Sequence, residues 1–524
     1  MKKRKFNLLL NIATLCLCVC AIAIGVYSAK QASLNVSGTI GFTAHNVKAN
    51  IEAWISGHSD TADGEPITNE VQITANGGLA LNGGDASFNL GATAGSGSAT
   101  RYFSDLGTSG DPEDIIVKIK ITNTSDFDIL VNVDLANCKA TTTELESIIK
   151  VDYDKSAVVL AKTESTTFTF NIKLLPNADG SYGNAALTTP TSNNIQLKMN
   201  LEKSAYTQSQ VKTDAPIKQF TTTEVESIKT GLGSVSVWET YEYGDTYKCY
   251  AERYPYYIEM GERNNEKVKW LIVGTFANNT VTALTDSDNT PLSQGIMLKD
   301  TTYVMLSEKV LYTESTTNYG ISFQNKYTNS GSYLNDYGYS AQDYATSNIR
   351  NYLKGADDVY RTYKYDSSTK QYSPDKSKSK VNLLTDYNLT SDPLYAKIQE
   401  RTLASLYNES AITNETKEMK TVPTTIDGKK AVDLTSDKLW LLSQTEMEEI
   451  FKADYVANSR ESYSAPLYMS SRTSVLGASS PASWWLRSPG SSLAYSVRSV
   501  DRSGYLNYSN ACIGHYGSRA AFLF

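Results

Sequence analysis

The sequence predicts a two-part, β-rich protein: an amino-terminal antiparallel β-sandwich followed by a carboxy-terminal α+β domain. Three observations lead there. A chain of 524 residues exceeds one common domain, so two or three are expected. Between Leu34 and about Leu201 apolar and polar residues alternate with a period of two. From about Val237 onward short strand-like runs are interspersed with a few capped helical segments.

The chain opens on Met1-Lys2-Lys3-Arg4-Lys5 and an apolar run from Leu8 to Val26, the layout of an export signal. Val26 and Ser28 supply small residues for cleavage, which assigns residues 1–29 to a signal peptide. The run nearly reaches the length of a membrane span, so retention as an N-terminal anchor is the alternative. Membrane contact is expected through this segment only. Cys16, Cys18 and Cys20 lie inside it and read as small hydrophobes. The remaining Cys138, Cys249 and Cys512 are too scattered for a disulfide framework or a CxxC metal site. A net charge of −7 leaves no basic footprint for nucleic acid.

Residues 30–203 carry the sandwich. Val117, Ile119 and Ile121 interleave with Lys118 and Lys120; Val131, Val133 and Leu135 interleave with Asn132 and Asp134. Phe168, Phe170, Ile172 and Leu174 repeat the rule, as do Ile195, Leu197, Met199 and Leu201. One buried face per sheet is expected from such patterning. The opening Ala32-Ser33-Leu34-Asn35-Val36-Ser37-Gly38-Thr39, with the Asn turn of Ile121-Thr122-Asn123-Thr124-Ser125-Asp126, resembles exported Gram-positive proteins of the camelysin and biofilm-fibre type. His45 and His58 are isolated and read as unpartnered surface histidines.

Residues 204–236 are polar and mixed and read as a linker, with Thr221-Thr222-Thr223-Glu224 capping a short helix that ends near Gly231. The domain at 237–524 follows. Strands are expected at 257–261, 268–273, 280–284 and 303–306. Ser340 is placed to cap a helix through Leu353 that stops at Gly355, and Asp392-Pro393 to open another through Ile398 and Leu406. Leu439-Trp440-Leu441-Leu442 reads as a buried strand, and Ser443-Gln444-Thr445-Glu446 as a capping box for a helix ending near Lys452. Asp286-Ser287-Asp288-Asn289 has oxygen ligands at tempting spacing, but no Glu closes a twelve-residue loop, so it reads as a turn and no metal is expected. The Lys-rich 376–380 reads as a solvated loop. The terminal Ala521-Phe522-Leu523-Phe524 reads as a final buried strand.

The carboxy-terminal stretch has its own vocabulary. From Ser488 to Phe524 there is no Lys, Glu, Gln, Met or Trp. These types form roughly a sixth of the chain, so about six would be expected in such a window. What remains is chiefly Ser, Tyr, Asn and Arg on Gly, Ala and Val, the chemistry of antibody-like paratopes: Tyr gives rigid contact area and Ser and Asn adapt their hydrogen bonds. The absent five are the residue types whose codons end only in a purine. That pattern resembles the variable region of diversity-generating retroelement target proteins, which lies at the end of a C-type-lectin-like fold.

The framing motifs carry a second resemblance. Trp484-Trp485-Leu486-Arg487-Ser488-Pro489-Gly490, Ala494 with Val497 and Asp501, and Gly517-Ser518-Arg519-Ala520-Ala521 look like the signature of a bacterial domain family of unknown function. That family is related in fold to formylglycine-generating enzymes and C-type lectins. It usually reads Gly-Val-Arg-Pro-Ala near its end; Ser518 and Ala520 depart from this. The resemblance covers roughly Tyr250 to Phe524 and implies a C-type-lectin-like domain.

Within the frame, Trp484 and Trp485 read as core, Arg487 and Arg519 as buried hydrogen-bonding struts, and Gly490 and Gly517 as turn formers. The candidate ligand contacts lie between: Tyr495, Ser496, Arg498, Ser499, Arg502, Tyr505, Asn507, Tyr508, Ser509, Asn510, His515 and Tyr516. No catalytic set is evident. Formylglycine-generating relatives need a cysteine pair in the active site, and here only Cys249 and Cys512 are available; Cys512 with His515 has no orienting carboxylate. The expectation is an exported, surface-displayed, non-enzymatic binding protein with no cofactor and a protein or glycan ligand at the cell exterior. The alternative is a structural matrix or fibre component.

Overall fold

The computed structural model describes residues 47–56, 71–72, 84–91, 115–140, 146, 149–175, 194–212, 215–232, 249–311, 320–323, 344, 347–356, 359–361, 363–366, 368, 371–377, 379–403, 425–426, 429–430, 436–451, 463–464, 482–489, 496–500, 505–510 and 516–524. The expected signal segment, His45 and His58 lie outside them. Across the described residues the protein is mostly β, with antiparallel sheets and few, short helices.

Ten amino-terminal strands are β1 (Ala49–Ser56), β2 (Val71–Gln72), β3 (Gly84–Gly91), β4 (Ile115–Asn123), β5 (Ile129–Val133), β6 (Lys139–Ala140), β7 (Ile149–Tyr153), β8 (Ala157–Leu160), β9 (Ser165–Leu174) and β10 (Asn194–Lys203). They form two sheets, ordered β2-β1-β4-β9-β7 and β3-β10-β5-β8, with β6 beside β10. The alternating residues do what the pattern predicts. Val117, Ile119, Ile121, Phe168, Phe170 and Ile172 from the first sheet meet Val131, Val133, Ile195, Leu197 and Met199 from the second in one apolar cluster, each with no exposed surface. At about 25 cal/mol per Å² of apolar area removed from water, such contacts are the main stabilising contribution of these sheets.

One expectation needs correction. The second sheet is buried on both faces at β5 and β8: Val158 and Leu160 point into that cluster, whereas Leu130, Ala157 and Val159 join Val211 and Ile296 on the other side. The unbroken apolar run Ala157-Val158-Val159-Leu160 is the sequence trace of this two-sided burial.

The segment read as a linker is also structured. It contributes β11 (Val211–Lys212), β12 (Lys218–Gln219) and α1 (Thr222–Leu232). Thr221 and Glu224 form the predicted capping box, Glu224 N–H donating to Thr221 Oγ1 at 3.1 Å and Thr221 N–H to Glu224 Oε2 at 2.8 Å. β12 pairs with a strand of the carboxy-terminal unit and Ile217 and Phe220 are buried in its core, so this part of the chain is no free tether.

The carboxy-terminal unit continues with α2 (Tyr250–Arg253), β13 (Tyr256–Arg263), β14 (Glu266–Ala277), β15 (Thr280–Ala283), α3 (Asp286–Ser293), β16 (Met297–Leu298) and β17 (Tyr303–Ser307). Asn264-Asn265 and Asn278-Asn279, all at positive φ, make the two-residue hairpin turns on either side of β14. Residues 286–289 are the first turn of α3, capped by Thr285, where a turn was expected. Next come α4 (Asn348–Lys354), β18 (Tyr363–Asp366), β19 (Gln371–Pro374) and α5 (Leu383–Asp386). Ser347, rather than Ser340, caps α4, and Gly355 ends it in the left-handed region at φ 75°.

Asp392-Pro393 opens only a short 3-10 turn, Pro393–Lys397. The chain then leaves for β20 (Arg401–Thr402), which pairs with Ser436 and Asp437 instead of extending a helix toward Leu406. The remaining elements are β21 (Thr425–Ile426), β22 (Lys429–Lys430), β23 (Ser436–Asp437), β24 (Trp440–Leu441), α6 (Gln444–Phe451), β25 (Tyr463–Ser464), β26 (Trp484–Pro489), β27 (Ser496–Val500), β28 (Tyr505–Asn510), β29 (Gly517–Ser518) and β30 (Ala520–Leu523). A seven-stranded sheet runs β12-β13-β14-β17-β30-β24, with β15 beside β14. The chain's last strand is therefore interior, between β17 and β24. A second, five-stranded sheet runs β25-β28-β27-β26-β29.

Candidate functional site

The candidate residues fall on and around the five-stranded sheet, whose strands differ sharply in exposure. In β26, Trp484, Trp485 and Leu486 have no exposed surface and Arg487 is 2% exposed. Trp485 donates from Nε1 to the Ile321 carbonyl at 2.8 Å and packs edge-on against Phe323 and Tyr516, at centroid separations of 5.7 and 4.7 Å.

Arg487 is held by a carboxylate that spacing alone did not reveal. Its Nη2 donates to Glu446 Oε1 at 2.7 Å, and Arg401 Nη2 donates to the same oxygen at 2.5 Å. Burial pushes the Glu446 carboxyl up, but Arg487 and Arg401 outweigh it and hold the group below its ordinary value. Glu446 reaches this point because the capping box at the start of α6 forms as expected: Ser443 N–H donates to Glu446 Oε2 at 2.9 Å, and Glu446 N–H to Ser443 Oγ at 3.1 Å. One carboxyl thus caps a helix and pairs with two buried arginines. Arg401 also stacks over Trp440, 4.3 Å from its centroid.

Arg519 is the other expected strut. It is fully buried, donates from Nε to the Ser307 carbonyl at 3.0 Å and lies over Trp484. Burial lowers its pKa to about 10, against the opposing pull of Tyr250 and Glu308. Gly517 differs from expectation: it lies in β29, paired in parallel with Trp484, and its N–H donates to the Ser483 carbonyl at 2.9 Å. It forms no turn. Gly490 lies outside the described residues.

The candidate contacts divide into three groups. Arg498 and Ser499, on the central strand β27, are buried, 6% and 0% exposed, with Val497 and Val500 equally enclosed. They do not face solvent, which corrects their placement among the ligand contacts: a central strand covered on both faces offers no outward side chain. On β28, Leu506 points inward, Asn507 is exposed and Ser509 half-exposed. Tyr516 is half-exposed against Trp485. Ser496, Tyr505, Tyr508 and Asn510 lie in strands whose backbone alone is described, while Tyr495, Arg502 and His515 lie outside the described residues.

Register joins the exposed and buried groups. Asn507 lies opposite Ser499, Ser499 opposite Trp485, and Trp485 opposite Ser518, so one row of side chains crosses four strands on one face. It begins at exposed Asn507 and ends among fully buried residues. The hydroxyls of Ser499 and Ser518 have no hydrogen-bond partner among the described residues.

Burial pushes the thiols of Cys138 and Cys249 up to about 12 and about 11, away from reactive thiolate chemistry. Cys512 lies outside the described residues. Among the described residues no group of three His, Cys, Asp or Glu side chains is placed to hold a metal.

No curated protein and no solved structure matches the chain. Residues 303–524 match the family model DUF6273, a domain of unknown function. The match is consistent with the carboxy-terminal domain of unknown function expected from the motifs at 484–490 and 517–521, but begins at 303 rather than near Tyr250. β13, β14 and β15 lie upstream of it, yet they complete the sheet that holds β17 and β30.

Proposed function

We propose that this is an exported, surface-displayed binding protein whose carboxy-terminal unit, with a C-type-lectin-like fold, presents a changeable ligand surface centred on β28. The observation that carries the reading is a coincidence of composition and exposure. The stretch lacking Lys, Glu, Gln, Met and Trp contains the strand that exposes Asn507 and part of Ser509, while the motifs framing it are buried. Side chains on such a strand can change without disturbing the core. Tyr505 and Tyr508 would act as anchors, with Asn507, Ser509 and Tyr516 as adaptable partners, and the ligand is a protein or glycan at the cell exterior. Diversification by a retroelement accounts for the missing residue types.

Two measurements test this. Glycan-array and protein-binding screens of the purified full chain should find a ligand whose affinity falls about tenfold or more in Tyr505→Ala or Tyr508→Ala, with the melting temperature nearly unchanged. A stability collapse in both variants would place those tyrosines in the core and defeat the reading. The gene should carry pyrimidine third bases throughout codons 488–524; frequent purine-ending codons would remove the diversification claim alone.

A further inference from the structure

Side chains from both units converge on the chain between them, residues 204–212 and 215–220. On one flank Leu130, Ala157 and Val159 of the amino-terminal sheets pack with Val211 and Ile296, all at most 1% exposed. The chain is stitched into the carboxy-terminal unit at two points, β11 with β16 and β12 with β13. Polar contacts from the amino-terminal side then close over it. Tyr153 Oη donates to the Ile217 carbonyl at 2.6 Å, and Ser156 Oγ lies 3.0 Å from the Ala215 carbonyl and 2.5 Å from that of Gly295.

The third component is ionic. Lys150 and Asp152 of β7, Lys218 of β12 and Glu259 of β13 alternate in sign around one cluster. Lys150 Nζ lies 2.6 Å from Glu259 Oε2, Lys218 Nζ lies 2.9 Å from the same oxygen, and Lys218 also bonds Asp152. Two cations face two anions, so no uncompensated charge is enclosed. Loosely tethered domains meet through wet, polar surfaces and move by default. This junction has an apolar centre, satisfied carbonyls and a balanced ion cluster.

We propose that the amino-terminal sheets and the carboxy-terminal unit form one cooperative body, with residues 211–212 and 215–220 clamped between them as a structural strap. The sheets are then a brace, fixing the direction in which β28 faces, and not a spacer on a hinge. This goes beyond the binding reading and stands without it. Gly295 is a point of close approach: it sits at φ +69°, and a Cβ there would come within 3.1 Å of Ser156 Cβ.

Calorimetry and native-state hydrogen exchange on the full chain test the proposal. A single transition is expected, with equal calorimetric and van't Hoff enthalpies. Introducing Trp484→Ala, on β26 of the five-stranded sheet, should lower amide protection in β4, β9 and β17 by the same factor. Gly295→Val should uncouple them, splitting the transition or restricting the loss to β17. Two transitions in the unaltered protein would overturn the proposal, as would β4 and β9 amides unmoved by Trp484→Ala. Should Gly295→Val fail to fold, the unaltered chain and Trp484→Ala still decide.

Discussion

β26 and β28 belong to the same sheet, one strand apart, and make opposite use of their side chains. β26 encloses two tryptophans, a leucine and an arginine, whereas β28 sends Leu506 inward and Asn507 out. The difference lies in what covers them. β26 has β27 and β29 on its two edges, α6 beside its arginine and the segment at 320–323 over Trp485. A strand so enclosed specifies geometry; one with an exposed face can specify a partner.

The largest expected effect breaks the frame. Trp485→Ala removes a fully buried ring together with its hydrogen bond to Ile321 and should cost about 3–5 kcal/mol of stability, measured by denaturant unfolding. A loss under about 1 kcal/mol would mean that β26 is no more constrained than β28.

Glu446→Gln comes next. It leaves Arg487 and Arg401 buried opposite a neutral amide and should cost about 3 kcal/mol. The same carboxylate sets a pH dependence. Its folded pKa is held below the unfolded value, so its contribution is present above the unfolded pKa and is lost as pH falls through the folded one. In the variant, the acid side of the stability profile should flatten. An unchanged profile would assign the acid sensitivity elsewhere, for example to Glu259, which burial raises but Lys218 and Lys150 hold down at about 2.

These two residues also show how far the sequence could be read. Trp485 was legible as core because a large apolar residue inside an apolar motif has few other uses. The alternating strands at 115–123 and 165–174 were legible for the same local reason. Glu446 was visible only as a helix cap. Its partnership with Arg487 and Arg401 joins residues 41 and 45 positions apart, and no local periodicity encodes that. The contacts of residues 215–218 were missed likewise: the polar residues around them resemble a linker until Tyr153, Ser156 and Glu259 arrive from elsewhere in the chain. Arg498 and Ser499 show the reverse error. Their chemistry suits a contact surface, but the central position of β27 buries them.

Ser499→Ala sharpens the boundary between frame and surface. The Ser499 hydroxyl is buried without a partner among the described residues, so removing it should leave stability unchanged or raise it by up to about 1 kcal/mol. Ligand affinity should not change, since Ser499 has no exposed surface. Reduced binding at unchanged stability would return Ser499 to the contact set.

Asn507→Ala is expected to have the smallest effect on stability, within about 0.5 kcal/mol, because its side chain is exposed. It is also the variant that separates the two strands most cleanly. Asn507 stands directly across from Ser499 in the row leading to Trp485, so the two substitutions probe adjacent positions on one face. If β28 reads a ligand, truncating its exposed member should weaken binding while the melting temperature stays fixed, whereas truncating the buried neighbour should do neither harm. Equal loss of binding from both would mean that the ligand senses the shape of the whole sheet, and the division between an inert frame and a changeable surface would fall.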